Sequence, residues 1–211
     1  MQNIKNVILD YGNVIYMIDF ARVRQAFLDL GISQVDEFFG HRGQDSLFDA
    51  FDRGEITAAQ FRDGVREKAN RPDLTDQQID DAWNSLLVGV PAGKHELLEQ
   101  LHARYRMFLL SNNNEIHYAY CMNHIKEVYQ VESNDQFFEK TYYSHLAGLR
   151  KPDLKIFELV LQENDLDPSE TLFIDDSPQH LEGAKQLGIH TALCTREHPL
   201  EAIVNEFGLL K

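Results

Sequence analysis

Carboxylates, amides, a hydroxyl and an amine are concentrated at four places in this chain: Asp10-Tyr11-Gly12-Asn13, Ser111-Asn112-Asn113-Asn114, Arg150-Lys151-Pro152 and Asp175-Asp176-Ser177. Singly, each has an ordinary structural use. An Asp after an apolar run is a turn residue, Ser111 can cap a helix, and an acidic pair suits a helix N-terminus. Converging, the carboxylates would repel one another and resist ionisation unless a cation lay between them. A hard divalent ion meets that need. Magnesium is the expected one, because its sites combine carboxylates, waters and a substrate phosphate oxygen, and no His or Cys cluster calls for a softer metal. Asp10 could then approach an anionic phosphate as a nucleophile while Lys151 neutralises charge on the moving phosphoryl group. Ser111 and nearby backbone N–H groups would hold the remaining oxygens.

The elements that must position these residues are legible around them. Apolar runs at Val7–Leu9, Met107–Leu110, Thr141–Ser144, Thr171–Ile174 and Thr191–Cys194 read as buried parallel strands. The polar clusters follow the first four, where open parallel sheets bind ligands beyond their carboxyl ends. Helical patterns intervene: Leu97, Leu98 and Leu101 share a face of Lys94–Tyr105, and Ile156, Leu159 and Val160 share one of Lys155–Gln162. Alternation of this kind predicts an α/β fold with a doubly wound, mostly parallel sheet. Residues 20–90 are too long for a simple crossover and carry two capping-box signatures, Thr57-x-x-Gln60 and Thr75-x-x-Gln78. With Phe48, Phe51, Phe61, Trp83, Leu86 and Leu87 offering apolar faces, the segment reads as a small α-helical cap. The expected core is then 1–19 with 91–211. Aromatics between Asn113 and Arg150 are expected to pack rather than to line a pocket.

Composition narrows the function classes. The chain has 211 residues, 43% hydrophobic and 26% charged, which suits one α/β domain with an insertion. Its formal charge of -14 would repel a phosphodiester backbone, so no nucleic-acid partner is expected. The same field repels any phosphate substrate, which reinforces the need for a local cation. Cys121 and Cys194 lack disulfide or metal-ligand spacing and are expected reduced. The absence of a signal-like start or a long apolar run gives the expectation of a cytoplasmic protein with no membrane partner. Oligomeric state has no signature in the sequence.

The ordered set of motifs resembles the haloacid dehalogenase superfamily over essentially the whole chain. That resemblance implies a hydrolase, most often a phosphatase. Asp10 takes the place of the nucleophile that forms an aspartyl-phosphate, Ser111 that of the second-motif hydroxyl, Lys151 that of the third-motif lysine and Asp175-Asp176 that of the acidic fourth motif. It further implies a metal site of Asp10, the Gly12 carbonyl, Asp175 and Asp176, and substrate contacts from Ser111, Asn112 and Lys151. The Asp10-x-Gly12-Asn13-Val14 form is similar to the branch of sugar-phosphate phosphatases such as those acting on glucose 1-phosphate, so a small phosphorylated metabolite is the expected substrate.

Gly12 departs from the family pattern. The usual residue there is a second aspartate that serves as general acid and base, and glycine cannot move a proton. His117, His145, His180 and Asp19 are the nearby candidates to replace it. Other readings are a metal-free haloacid dehalogenase, which has no evident use for Asp175-Asp176, and a phosphosugar mutase, which needs the missing acid. A catalytically weakened phosphate-binding or regulatory protein is a further one.

Overall fold

The computed structural model describes residues 3–32, 35 and 46–211. Among them the chain order is β1 (Asn6–Leu9), β2 (Met17–Ile18), α1 (Phe20–Asp29), α2 (Ser46–Asp52), α3 (Ala58–Ala69), α4 (Asp76–Asn84) and β3 (Leu87–Gly89), followed by α5 (Lys94–His102), β4 (Arg106–Ser111), α6 (Glu115–Tyr129), β5 (Lys140–Tyr143) and α7 (Ser144–Ala147). The last elements are α8 (Leu154–Glu163), β6 (Thr171–Asp175), α9 (Pro178–Lys185), β7 (His190–Leu193) and α10 (Leu200–Glu206).

The five apolar runs form one parallel sheet in the order β5-β4-β1-β6-β7. Each strand turns alternate residues to opposite faces, as the two-residue period requires. Val7, Leu9, Met107, Leu109, Leu172 and Ile174 meet Leu98, Leu101, Cys121, Ile125, Leu200 and Ile203 from α5, α6 and α10. Ile8, Phe108, Leu110 and Phe173 meet Ile156, Phe157, Val160, Leu181 and Ala184 from α8 and α9. Both faces are therefore covered over the central strands β4, β1 and β6, whose interiors are continuously apolar, whereas the edge strands β5 and β7 are more polar and partly exposed.

Register then lines up the chemistry. Leu9 pairs with Leu109 and Ile174, Ser111 with Tyr143 and Asp175 with Leu193. The residues just beyond Leu9 and Ile174, together with the end of β4, therefore emerge at one rim of the sheet.

Helices α1 to α4 build a separate apolar cluster from Val23, Phe27, Phe48, Phe51, Phe61, Val65, Ile79 and Trp83. Phe51 stacks on Phe61 at 4.3 Å, and Phe48 lies 5.1 Å from Trp83. Both capping boxes form as read: the Thr57 and Thr75 hydroxyls accept from the Gln60 and Gln78 N–H, and each Gln carbonyl accepts from the cap N–H. Losing either threonine should cost about 1 kcal/mol.

Leu87 departs from expectation. It lies in β3, which pairs antiparallel with β2, and joins the sheet-side cluster rather than the helical one. The two short strands, together with the Asp19 N–H donating to the Leu86 carbonyl at 2.8 Å, tie the two ends of the helical insertion to each other. The expected packing of the aromatics after Asn113 is observed for Phe137, Phe138 and Tyr143 in one core cluster and Tyr142 in the other, with Tyr118 and Tyr129 partly buried against the first, but not for Tyr120, which is exposed. Both cysteines are free and buried. Among the described residues no helix is long and apolar enough to cross a membrane.

Candidate active site

Lys151 is fully buried, and its ammonium lies 2.7 Å from Asp10 Oδ1 and 2.7 Å from Asp175 Oδ2. A buried charge survives only when paired, and here two carboxylates from adjacent strands share one cation. Burial alone would lower the Lys151 pKa, but Asp10 and Asp175 raise it and keep the side chain charged. Asp10 pays in the opposite direction: desolvation and the neighbouring Asp175 push its carboxyl up to about 8, against the pull of Lys151. Asp175 is buried too, yet Lys151 and His180 hold it well below the usual carboxylate range.

Each of these side chains is placed by its main chain. The Asp10 N–H donates to the Ile174 carbonyl at 2.9 Å, and Asp10 Oδ1 accepts from the Tyr11 N–H at 2.7 Å. Asp175 Oδ1 accepts from the Ser177 N–H at 2.7 Å, and His180 Nδ1 lies 2.9 Å and 3.1 Å from its two oxygens. Lys151 follows a loop held by Asn112, whose amide accepts from the Lys151 N–H at 2.9 Å and donates to the Lys151 carbonyl at 3.0 Å. The Lys151–Pro152 peptide is cis. Asn112, expected to contact substrate, thus has a positioning task as well. Ser111 ends β4, buried, with its hydroxyl 3.3 Å from the Asn112 carbonyl.

Asp176 faces a different partner from Asp175. Its Oδ2 accepts from Asn13 Nδ2 at 2.8 Å, and burial raises its pKa. Asn13 has φ of 54°, a left-handed conformation that Asn tolerates better than most residues. Its other amide atom accepts from the Ile18 N–H at 3.2 Å. The bond to Asp176 was not read from the sequence, although an Asn beside Gly12 is a signal for such a turn. Gly12 pairs with Tyr16 across this turn, and a Cβ placed on it would lie 3.3 Å from the Ile18 side chain.

The donor set suits a hard divalent cation. Asp10, Asp175 and His180 bring ligand atoms within 4.8 Å of one another. Two carboxylates face the single buried ammonium and Asp176 lies beside them, bonded to Asn13, an excess of negative oxygen that magnesium would balance.

The four candidates for the missing acid fare differently. His180 is brought to the site. His117 is not available for proton transfer: it is buried, stacks on Trp83 at 4.4 Å and bonds the Trp83 carbonyl at 3.0 Å, and burial lowers its pKa to about 4. His145 sits against Tyr118 and Tyr143, its pKa also lowered by burial. Asp19 caps α1, accepting from the Ala21 N–H at 2.9 Å. It also lines a cavity of about 560 Å³ beside Asn13 and Asp176, with Lys94 and Arg196 on the wall.

An aspartate just beyond β1, a buried lysine between two acidic strand ends and a helical insertion are features to compare with known proteins. The haloacid dehalogenase-like hydrolase family profile matches residues 4–188. This chain belongs to that family. Its relatives include a D-ribitol-5-phosphate phosphatase from Bacteroides thetaiotaomicron, 30% identical over 188 residues that cover 89% of this chain and 90% of the relative. A haloacid dehalogenase family enzyme of the same organism, solved as the wild-type protein with magnesium and inorganic phosphate, superposes with a TM-score of 0.84 at 36% identity, covering 95% of this chain and 98% of that one. A haloacid dehalogenase-like hydrolase from Porphyromonas gingivalis superposes with a TM-score of 0.82 at 28% identity, covering 97% and 98%. Membership of the family makes this haloacid dehalogenase-like protein a hydrolase.

Proposed function

We propose that the protein is a magnesium-dependent phosphomonoesterase acting on a small phosphorylated metabolite of the sugar or polyol phosphate class, through an aspartyl-phosphate on Asp10. The observation that carries this reading is the buried Lys151 ammonium held 2.7 Å from both Asp10 and Asp175. It supplies positive charge at the nucleophile itself, in surroundings from which water is excluded, where it acts most strongly. The relative named for D-ribitol 5-phosphate and the neighbour solved with magnesium and phosphate support the choice of substrate class and ion.

A carboxylate oxygen of Asp10 attacks phosphorus, the ester P–O bond breaks, and its electron pair leaves on the metabolite oxygen, which takes a proton from water. Water then cleaves the acyl phosphate, releasing inorganic phosphate and restoring Asp10. Bound magnesium would neutralise the carboxylates and stabilise charge on the phosphoryl oxygens. Asp10, Asp175 and Asp176 would hold it, with the Gly12 carbonyl beside them. Residues 20–90 act as the cap and 1–19 with 91–211 as the catalytic core.

A phosphate-ester panel with magnesium and with chelator tests the reading. Hydrolysis of sugar and polyol phosphates that disappears with chelator is the expected result, whereas full activity in chelator would overturn it. Because Gly12 moves no proton, the rate of the first step should rise steeply as the leaving group becomes less basic. A flat series, with phosphoryl transfer rate-limiting, would mean that another residue donates.

A further inference from the structure

The helical insertion reaches the lysine loop through one end of α2. Asp49 and Asp52 lie three residues apart on one face of that helix, and Arg53 follows. Arg150, the residue before Lys151, bonds Asp49 through one guanidinium nitrogen, and its other terminal nitrogen lies 3.7 Å from Asp52 Oδ2. Arg53 bonds Asp49 at 3.0 Å and reaches across to Asp153 at 2.8 Å. The Lys151–Pro152 step is thereby bracketed, Arg150 on one side and Asp153 on the other, by alternating charges anchored on α2. Asp52 extends the tie to the Ser111 loop: its Oδ1 accepts from Asn114 Nδ2 at 3.1 Å, and its carbonyl lies 2.5 Å from the Ser144 hydroxyl.

We infer that the Asp49–Arg53 end of α2 is a positioning element for Lys151, so that docking of the helical insertion and placement of the lysine are one coupled event. The inference rests on the reading of Lys151 as the charge-stabilising group. Physically, an ammonium at the end of four rotatable bonds is only as well placed as its main chain. Asn112 fixes that main chain from the core, and Asp49 with Arg53 fixes its two flanks from above. A displacement of about 1 Å in such a group can cost ~100-fold in rate. Arg150 and Asp49 are therefore positioning residues, with no contact to the reacting atoms required of them.

Arg150→Met, Asp49→Asn and the double variant form a cycle that tests this. Asp49 keeps 36% of its side-chain surface exposed, so its amide variant should fold normally. Each single variant should lower kcat by about 10- to 100-fold with little change in KM, the double should be no worse than the worse single, and Arg150→Lys should recover part of the loss. In parallel, hydrogen exchange of the backbone amides of 149–154 should quicken in Asp49→Asn, while that of 107–110 stays as in the wild type. Wild-type kcat in either single variant, losses that multiply, or quickened exchange throughout the sheet would each overturn the inference. The exchange arm stands apart from the phosphatase reading. Should the wild type hydrolyse no phosphate ester, unaltered exchange at 149–154 would still sink the positioning role, and quickened exchange confined there would sustain the mechanical link alone.

Discussion

At the scale of single residues, the site is built against its own stability. The proposed chemistry needs Asp10 as an anion, yet desolvation and Asp175 raise its pKa from 3.8 to about 8 when no metal is bound. A carboxyl whose folded pKa is raised favours the folded state in its protonated form. Its stabilising effect is complete below the unfolded pKa near 4 and is lost as pH climbs toward 8. Asp10→Asn keeps the shape and removes the ionisable group. It should therefore abolish turnover while making the metal-free protein more heat-resistant than the wild type at pH near 9, by several degrees if ~1 kcal/mol moves a domain of this size by about 2–4 °C. The gap should narrow as pH falls and close below about pH 4, where the wild-type Asp10 becomes protonated in both states. Melting curves of the two chelated proteins across pH are the measurement. A wild type that is the more stable of the two at high pH would mean that the Lys151 pairing outweighs desolvation. Magnesium should reverse the order by stabilising the wild type more than the variant, which keeps Asp175 and Asp176 but lacks one of the three carboxylates.

At the scale of elements, α6 does two jobs that the sequence shows unequally. Asn114 caps it, accepting from the His117 N–H at 3.0 Å, and also accepts from the Trp83 indole N–H at 3.3 Å. Ile116 and His117 thereby carry the apolar cluster of the insertion onto a helix of the sheet domain. Because His117 is held neutral, with a pKa of about 4, the unfolded chain binds the extra proton between pH 6.5 and 4, and stability falls as pH drops through that window. The difference of about 2.5 units is on the order of 3 kcal/mol. His117→Asn should flatten the acid limb of a stability–pH curve above pH 4, and an unchanged limb would assign the effect to other groups. The strands, α5 and α8 on opposite faces of the sheet and the capping boxes were legible because each is written in local periodicity or in residues three apart, whereas α6, α9 and α10 were not read. That Asp10, Ser111 and Asp175 come together was legible because each lies at or just after a readable strand, and Lys151 joins them from the loop that follows α7. The β2–β3 ribbon, the Asn13 bond to Asp176, and the ties from Asp49 and Asp52 to Arg150 and Asn114 were not. They join residues far apart in sequence or rest on strands of two and three residues, and only the folded register brings them together. His117 shows the converse: proximity to a motif suggested chemistry, and packing against Trp83 decided otherwise.

At the scale of the whole molecule, the formal charge of -14 acts on the two expected ligands with opposite sign. Magnesium is drawn toward the protein and a phosphate dianion is repelled until it comes within reach of the local cations. Those cations are Lys151 in the site and, on the wall of the adjoining cavity, Arg196 and the Lys94 that pairs with Glu201 at 2.6 Å. Salt screens charges separated by more than a Debye length, about 10 Å at 0.1 M, and barely touches contacts inside a dry site. Raising the ionic strength from about 20 to 200 mM should therefore weaken the apparent affinity for magnesium by a few-fold while kcat/KM for an anionic substrate, at saturating magnesium, holds steady or rises. Rates measured against a series of potassium chloride concentrations, with the metal titrated separately at each, separate the two effects. If kcat/KM instead falls as salt rises, capture is governed by the local cations rather than by the net field. Arg196→Gln, at the exposed side of the cavity, should then remove most of that salt dependence and leave kcat as it was.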